Sequence, residues 1–198
     1  RHIWFFCLLI KEALRHDVVL ALDPLGAGLP ALFVALLTRR RFIVRIVGDR
    51  AWETLQGRVY PQKGVSIGIE EFQKRHFDFR VEWRRWLQTF VSRRAEIVIV
   101  PSKFLYRIVL GWGVDERRIR ILYNAFTPPE MELTKENARE KLKLSGTIVM
   151  SAGRLVPWKG FIELARVSDL LLQDIADLKL FIAGDGPLRD TLEKTPSA

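Results

Sequence analysis

The chain has 198 residues, 48% of them apolar and 28% charged, a balance that excludes an intrinsically disordered chain. Its net charge of +9 favours anionic partners: phosphates, acidic lipid headgroups or nucleic acid. The single cysteine, Cys7, excludes an intrachain disulfide framework, and no apolar run reaches the ~20 residues that span a bilayer.

In chain order, Ile3–Leu14 reads as an apolar helix with Cys7 as a buried core thiol. Val18–Leu22 reads as a buried strand, Gly26-Ala27-Gly28 as a turn and Leu29–Leu37 as a helix ended by Arg39-Arg40-Arg41. Phe42–Val47 is a second strand, closing at Gly48-Asp49. Gly57–Gly68, with its glycines and a proline, reads as a loop, and Phe72–Arg94 as helical. Ile97–Val100 is a strand closed by Pro101; Ser102 is suited to cap helix Lys103–Leu110, which ends at Gly111-Trp112-Gly113. Ile119–Leu122 is a further strand. Ala125–Leu133, with Pro128-Pro129, is the candidate linker between domains at 1–127 and 128–198. Beyond it, Thr134 opens a charged helix to about Leu144, Thr147–Ala152 is a strand and Phe161–Leu172 a helix. Leu178–Ala183 is a strand and Gly184–Pro187 a turn into a helix from about Leu188. Continuous apolar strands alternating with helices imply an α/β fold whose parallel sheets are covered on both faces. A start at Arg1 and a stop at Pro196-Ser197-Ala198, just after a helix opens, are those expected of an internal piece of a longer protein.

The chemistry concentrates at Met150–Gly160. A strand ends at Ala152-Gly153, Arg154 follows, and a short loop with Pro157 reaches Lys159-Gly160 at the mouth of a helix. Strand ends that feed helix N-termini are where open α/β sheets bind ligands. A bidentate guanidinium, an ammonium and the free N–H groups of a helix start suit a diphosphate. A solvated basic loop is the plainer alternative.

The run Gly153-Arg154-Leu155-Val156-Pro157-Trp158-Lys159-Gly160 resembles the Arg–Lys motif of retaining glycosyltransferases of family 4, which have the GT-B fold of two Rossmann-like domains. Ile182–Pro187 resembles that family's next strand and Gly-x-Gly-Pro turn, and Ile97–Leu105 its Val-x-x-Pro-Ser-x-x-Leu segment. Ile121–Ala125 resembles its Ile-x-Asn-Gly segment, with Ala125 in place of glycine. The four pieces keep the family's order. The resemblance implies an acceptor-side domain followed by the start of a nucleotide-sugar domain. It implies transfer of a sugar, with retention, from a UDP- or GDP-sugar to a glycan or lipid-linked hydroxyl. It further implies that Arg154 and Lys159 stabilise the leaving diphosphate, with Gly153, Gly160, Gly184, Asp185 and Gly186 framing the donor. No permanent cofactor and no metal site is implied. A Glu-containing donor motif would lie beyond Ala198, so the piece alone is expected to be inactive.

The chain departs from the family where a histidine is usual, carrying Gly48-Asp49-Arg50-Ala51-Trp52-Glu53 instead, like a branch with Gly-Asp-x-Ala-Trp-Glu. Asp49 has two readings: a group near the reacting sugar, or the cap of the next helix. Glu53 reads as a solvated helix residue. His2, His16 and His76 lack metal-ligand spacing. Residues 72–94 interleave seven Lys and Arg residues with six aromatics. They either lie on an anionic membrane surface or pack their aromatics into the core while the arginines snorkel, and the second is the plainer reading. No nucleic-acid motif accompanies the charge, and a cytoplasmic setting, at the inner membrane face, fits. The competing functions are another GT-B enzyme, an epimerase or phosphorylase, and a non-enzymatic basic protein that binds membranes or nucleic acid.

Overall fold

The computed structural model describes residues 2–63, 66–128 and 133–194, with no side-chain detail for residues 2–5 and 60–63. The chain divides into two compact units, residues 1–55 with 67–125, and residues 56–66 with 126–198. The C-terminal residues 195–198 and part of the expected linker, 129–132, lie outside the described residues.

The first unit contains helix α1 (His2–Ala13), strand β1 (Val18–Ala21), helix α2 (Gly28–Thr38) and strand β2 (Arg41–Arg45). Helices α3 (Arg50–Lys63), α4 (Ile69–Lys74) and α5 (Phe79–Arg94) follow, α3 running on into the second unit's residues. Strand β3 (Ile97–Val100), helix α6 (Lys103–Gly111) and strand β4 (Ile119–Ile121) complete it. The four strands form one parallel sheet in the order β1-β2-β3-β4, with Val44 opposite Val98 and Val98 opposite Ile119.

Alternation along the strands divides the sheet into two unlike faces. On one, Ala21, Phe42, Val44, Ile46, Val98, Val100 and Ile119 are buried against Ala31, Leu32 and Ala35 of α2, Val91 of α5, and Leu105, Ile108 and Val109 of α6. Full burial of one such Leu or Val contributes about 1.5–3 kcal/mol. The opposite face holds Leu20, 54% exposed, and Leu22, 60% exposed, together with the exposed Val47 and Leu122. The expectation of a sheet covered on both faces is therefore met on one face only among the described residues. An apolar run records that a face seeks cover; it does not record that cover is present.

Two further expectations need correction. Cys7 is exposed, because it lies on the side of α1 that no described element covers. The expected loop at Gly57–Gly68 is helical as far as Lys63, residues 64–65 being outside the description. Asp49 caps α3, and Gly57 lies exposed within it with open space where a Cβ would stand, so nothing requires a turn there. The helical stretches expected through Phe72–Arg94 are there, as the end of α4 and all of α5. Asp78 accepts hydrogen bonds from the Arg80 and Val81 amides, which starts α5 afresh. Ser102 caps α6 in the same way through the Leu105 amide.

The second unit holds α7 (Lys135–Leu142), β5 (Thr147–Ala152), α8 (Phe161–Leu171), β6 (Leu178–Ala183) and α9 (Arg189–Glu193). Strands β5 and β6 pair in parallel from Thr147 opposite Leu178 to Ala152 opposite Ala183. Leu155, Phe161, Ile162 and Leu188 form its small core, beside the C-terminal ends of the strands.

Candidate functional site

The loop after β5 is held by the loop after β6. The Gly153 N–H donates to the Ala183 carbonyl at 2.9 Å and the Leu155 N–H to the Asp185 carbonyl at 2.9 Å. The Leu188 N–H returns a bond to the Leu155 carbonyl at 3.0 Å. This braid explains two glycines. A Cβ on residue 184 would collide with the Gly153 carbonyl oxygen, and one on residue 186, at φ +153°, would lie 2.6 Å from the Leu155 carbonyl oxygen. No side chain fits at either position without parting the two loops.

Leu155, Val156 and Pro157 turn inward and are buried, which leaves Arg154 and Lys159 facing solvent. Neither side chain makes a hydrogen bond or ion pair among the described residues. Pro157–Lys159 form a 3-10 turn, and Gly160, left-handed at φ +72°, caps α8 with no side chain of its own to accept from the helix start. The eleven-residue helix carries one acid, Glu163, in its first turn, which offsets part of the positive end of its dipole. Asp185 is exposed; its Oδ1 accepts from the Gly186 N–H at 2.8 Å and lies 4.0 Å from Arg189.

The corresponding strand end in the first unit is built differently. Asp49 is 1% exposed. Its Oδ1 accepts from the Trp52 amide at 3.0 Å and from the Gln88 Nε2 at 3.0 Å, and its Oδ2 accepts from the Gln73 Nε2 at 2.8 Å. Gln88 also accepts from the Ala51 amide, and Gln73 from the Trp112 indole. A buried carboxylate with three donors joins the start of α3, the end of α4 and the middle of α5 into one network. Of this set the sequence reading singled out Asp49 alone. Gln88 was detectable as an amide on the apolar stripe of Val81 and Val91.

Beside the network, a pocket of about 150 Å³ opens between Leu22, Asp23, Pro24, Val47, Gly48 and Arg50, at the C-terminal ends of β1 and β2. Arg50 lies 3.6 Å from Asp23 and donates to Glu53 at 2.9 Å. Asp23 in turn accepts from the Gly26 amide and fixes the Gly26-Ala27-Gly28 turn. Glu53 is thus part of an ion-paired cluster at the pocket rim rather than a solvated helix residue. Among the described residues no group of three His, Cys, Asp or Glu side chains is placed to hold a metal ion. His16 hydrogen-bonds the Glu12 carbonyl within its own helix end.

Residues 1–125 of the chain match the family of the glycosyl transferase 4-like domain. The chain belongs to the glycosyl transferase 4-like family. It is 30% identical over 122 residues, 61% of its length, to the N-acetylgalactosamine-N,N'-diacetylbacillosaminyl-diphospho-undecaprenol 4-alpha-N-acetylgalactosaminyltransferase of Campylobacter jejuni. It is 28% identical over 116 residues, 59% of its length, to an uncharacterized glycosyltransferase of Bacillus subtilis. It spans 31% and 30% of those two proteins. Among solved structures, HepE of Anabaena in complex with UDP superposes with a TM-score of 0.67 at 18% identity, covering 96% of this chain and 46% of HepE. TarM of S. aureus gives 0.60 at 15% identity, with 96% of this chain and 33% of TarM covered. The fold of this glycosyl transferase 4-like chain is α/β, of the GT-B type, with parallel Rossmann-like sheets.

Proposed function

We propose that the protein of which this chain is a part transfers a sugar, with retention, from a nucleotide diphosphate sugar to a glycan or lipid-linked hydroxyl. The carrying observation is the pair of cationic side chains without partners, Arg154 and Lys159, on a braced loop that leads into the start of α8. As the bond between sugar and diphosphate breaks, negative charge grows on the departing phosphate. Fixed positive groups that need no rearrangement stabilise that charge best. Arg154 presents a bidentate fork, Lys159 a point charge and α8 its dipole. Gly153, Gly160, Gly184, Asp185 and Gly186 shape the loop that presents them. HepE and TarM, solved with UDP, and HepE with UDP-glucose, support a uridine nucleotide as donor.

Asp49 we assign as a positioning residue. Its oxygens are already taken by Trp52, Gln73 and Gln88, so it shapes the β2 end of the first unit without itself touching the sugar. The name of the Campylobacter relative, with its undecaprenol-linked acceptor, supports a lipid-linked acceptor here, met at the cytoplasmic face of a membrane through residues 72–94. Among the described residues no helix is long and apolar enough to cross one.

The test is calorimetric titration of the intact protein with UDP-glucose, UDP-N-acetylglucosamine and GDP-mannose. Binding of at least one donor, weakened about tenfold or more in Arg154→Ala and Lys159→Ala, is expected. Unchanged affinity in both variants would overturn the assignment.

A further inference from the structure

The aromatics of α5 are where the plainer reading of the sequence does not place them. Val81, Gln88, Val91 and Ser92 are the buried residues of this helix. Phe79, Trp83, Trp86 and Phe90 recur at helical spacing on the opposite side. Phe79 is 79% exposed, Trp83 50% and Trp86 51%. Their rings stack in series, with centroids 6.3, 4.9 and 5.1 Å apart from Phe79 to Phe90. The Arg94 guanidinium closes the row, 3.7 Å from the Phe90 ring centroid. Three stacked rings, Phe79, Trp83 and Trp86, thus face solvent and run back to Phe90, which is partly buried against the core.

Charge identifies what such a ridge meets. Arg80 and Arg94 border it, and neither has an anionic partner among the described residues. The one carboxylate of α5, Glu82, is bound to Arg85 and the Phe77 amide. Along the helix's other flank, a groove of about 610 Å³ between α4, α5 and α6 is lined by Lys74, Arg85, Arg93 and Arg107, with Glu70 its only acid. Trp and Phe rings suit the boundary between headgroups and acyl chains, and clustered Lys and Arg suit anionic headgroups. A protein partner or second copy of this chain would have to offer an apolar surface rimmed with acid, whereas an anionic bilayer offers both over any area.

We infer that the ridge Phe79–Trp83–Trp86 is the surface by which this protein lies on an anionic lipid bilayer, these three rings entering the interface and Arg80, Arg94 and the groove cations meeting phosphate headgroups. The inference rests on the reading of a lipid-linked acceptor. Vesicle binding is measured without donor or acceptor, so its failure leaves the donor assignment at Arg154 and Lys159 untouched.

The intact protein is sedimented with vesicles of phosphatidylcholine alone and of phosphatidylcholine with phosphatidylglycerol. Binding to the anionic vesicles at least about tenfold tighter, and weakened at high salt, is expected. Trp83→Ser with Trp86→Ser reduces it about tenfold or more, and Arg80→Gln with Arg94→Gln by about fivefold per residue. In the unaltered protein, brominated lipids quench tryptophan fluorescence, a readout that does not depend on any variant folding. Equal binding to neutral vesicles, no quenching, or variants that dissolve a self-association while vesicle binding persists would each overturn the proposal.

Discussion

Two strand ends, one in each unit, carry the charged residues that the sequence marked, and they are built on opposite plans. At the end of β2, Asp49 is buried and every donor around it is committed. At the end of β5, Arg154 and Lys159 are exposed and uncommitted, while the backbone beneath them is tightly braced. A saturated, desolvated charge is invested in folding, since removing it strands its partners. An unsaturated charge on a rigid loop adds nothing to the folded state and is available to a ligand. The contrast separates structural from functional charge before any ligand is considered.

The sharpest test of that contrast exchanges activity for stability. Arg154→Ala in the intact protein is expected to lower the transfer rate by about a hundredfold to a thousandfold, as loss of one charge-stabilising donor does, while leaving the melting temperature unchanged. Asp49→Ala is expected to do the reverse, destabilising the first unit by about 2–4 kcal/mol through two unpaired buried amides and a lost cap, measured by urea unfolding. Activity lost by Asp49→Ala with stability intact would break the comparison and put Asp49 at the sugar. Gly184→Ala comes next. Its Cβ has no room against the Gly153 carbonyl, and about 1–3 kcal/mol of stability is expected to go, with donor affinity falling in step because the loop carrying Arg154 is displaced. Ser102→Ala, far from either charge, is the control, at about 1 kcal/mol with no change in rate.

The smallest effect is one of pH. Arg41 donates two hydrogen bonds to one Glu96 oxygen and a third to the other, holding that carboxyl below its ordinary range. A depressed folded pKa gives stability that is present above the unfolded pKa and lost as pH falls through the folded one. Glu96→Gln is therefore expected to be slightly less stable than the parent at neutral pH, the two curves converging below about pH 4. Since the pair is exposed, added salt should narrow the gap as well.

Much of the fold was legible because it is written in short-range chemistry. The runs Phe42–Val47 and Ile97–Val100 are rich in β-branched residues, Leu178–Ala183 is largely apolar and closed by a glycine turn, and Ser102 and Thr134 cap as expected. The Arg154–Lys159 loop was legible from its place between a strand and a helix. What escaped were matters of direction. Phe79, Trp83, Trp86 and Phe90 form one helical stripe and Val81, Gln88 and Val91 another; periodicity reveals both without saying which one meets the sheet. Gly57 misled because glycine permits a turn without requiring one. Gln73 and Gln88 escaped because an amide acquires its meaning only from the carboxylate it meets, and that meeting is made by tertiary structure.

The order of strands in the first unit also has a consequence in time. β2 pairs with β3, and α3, α4 and α5 lie between them in the chain. At roughly 5–20 residues per second of synthesis, β2 leaves the ribosome several seconds before the strand that will cover its far edge. Through that interval Phe42, Ile43 and Val44 form a sticky, half-paired segment. Arg41 and Arg45 flank it, and like charges at the ends of an apolar strand keep nascent chains from zipping onto one another. The two arginines thus act on the newborn chain, since in the finished sheet β2 is paired on both edges.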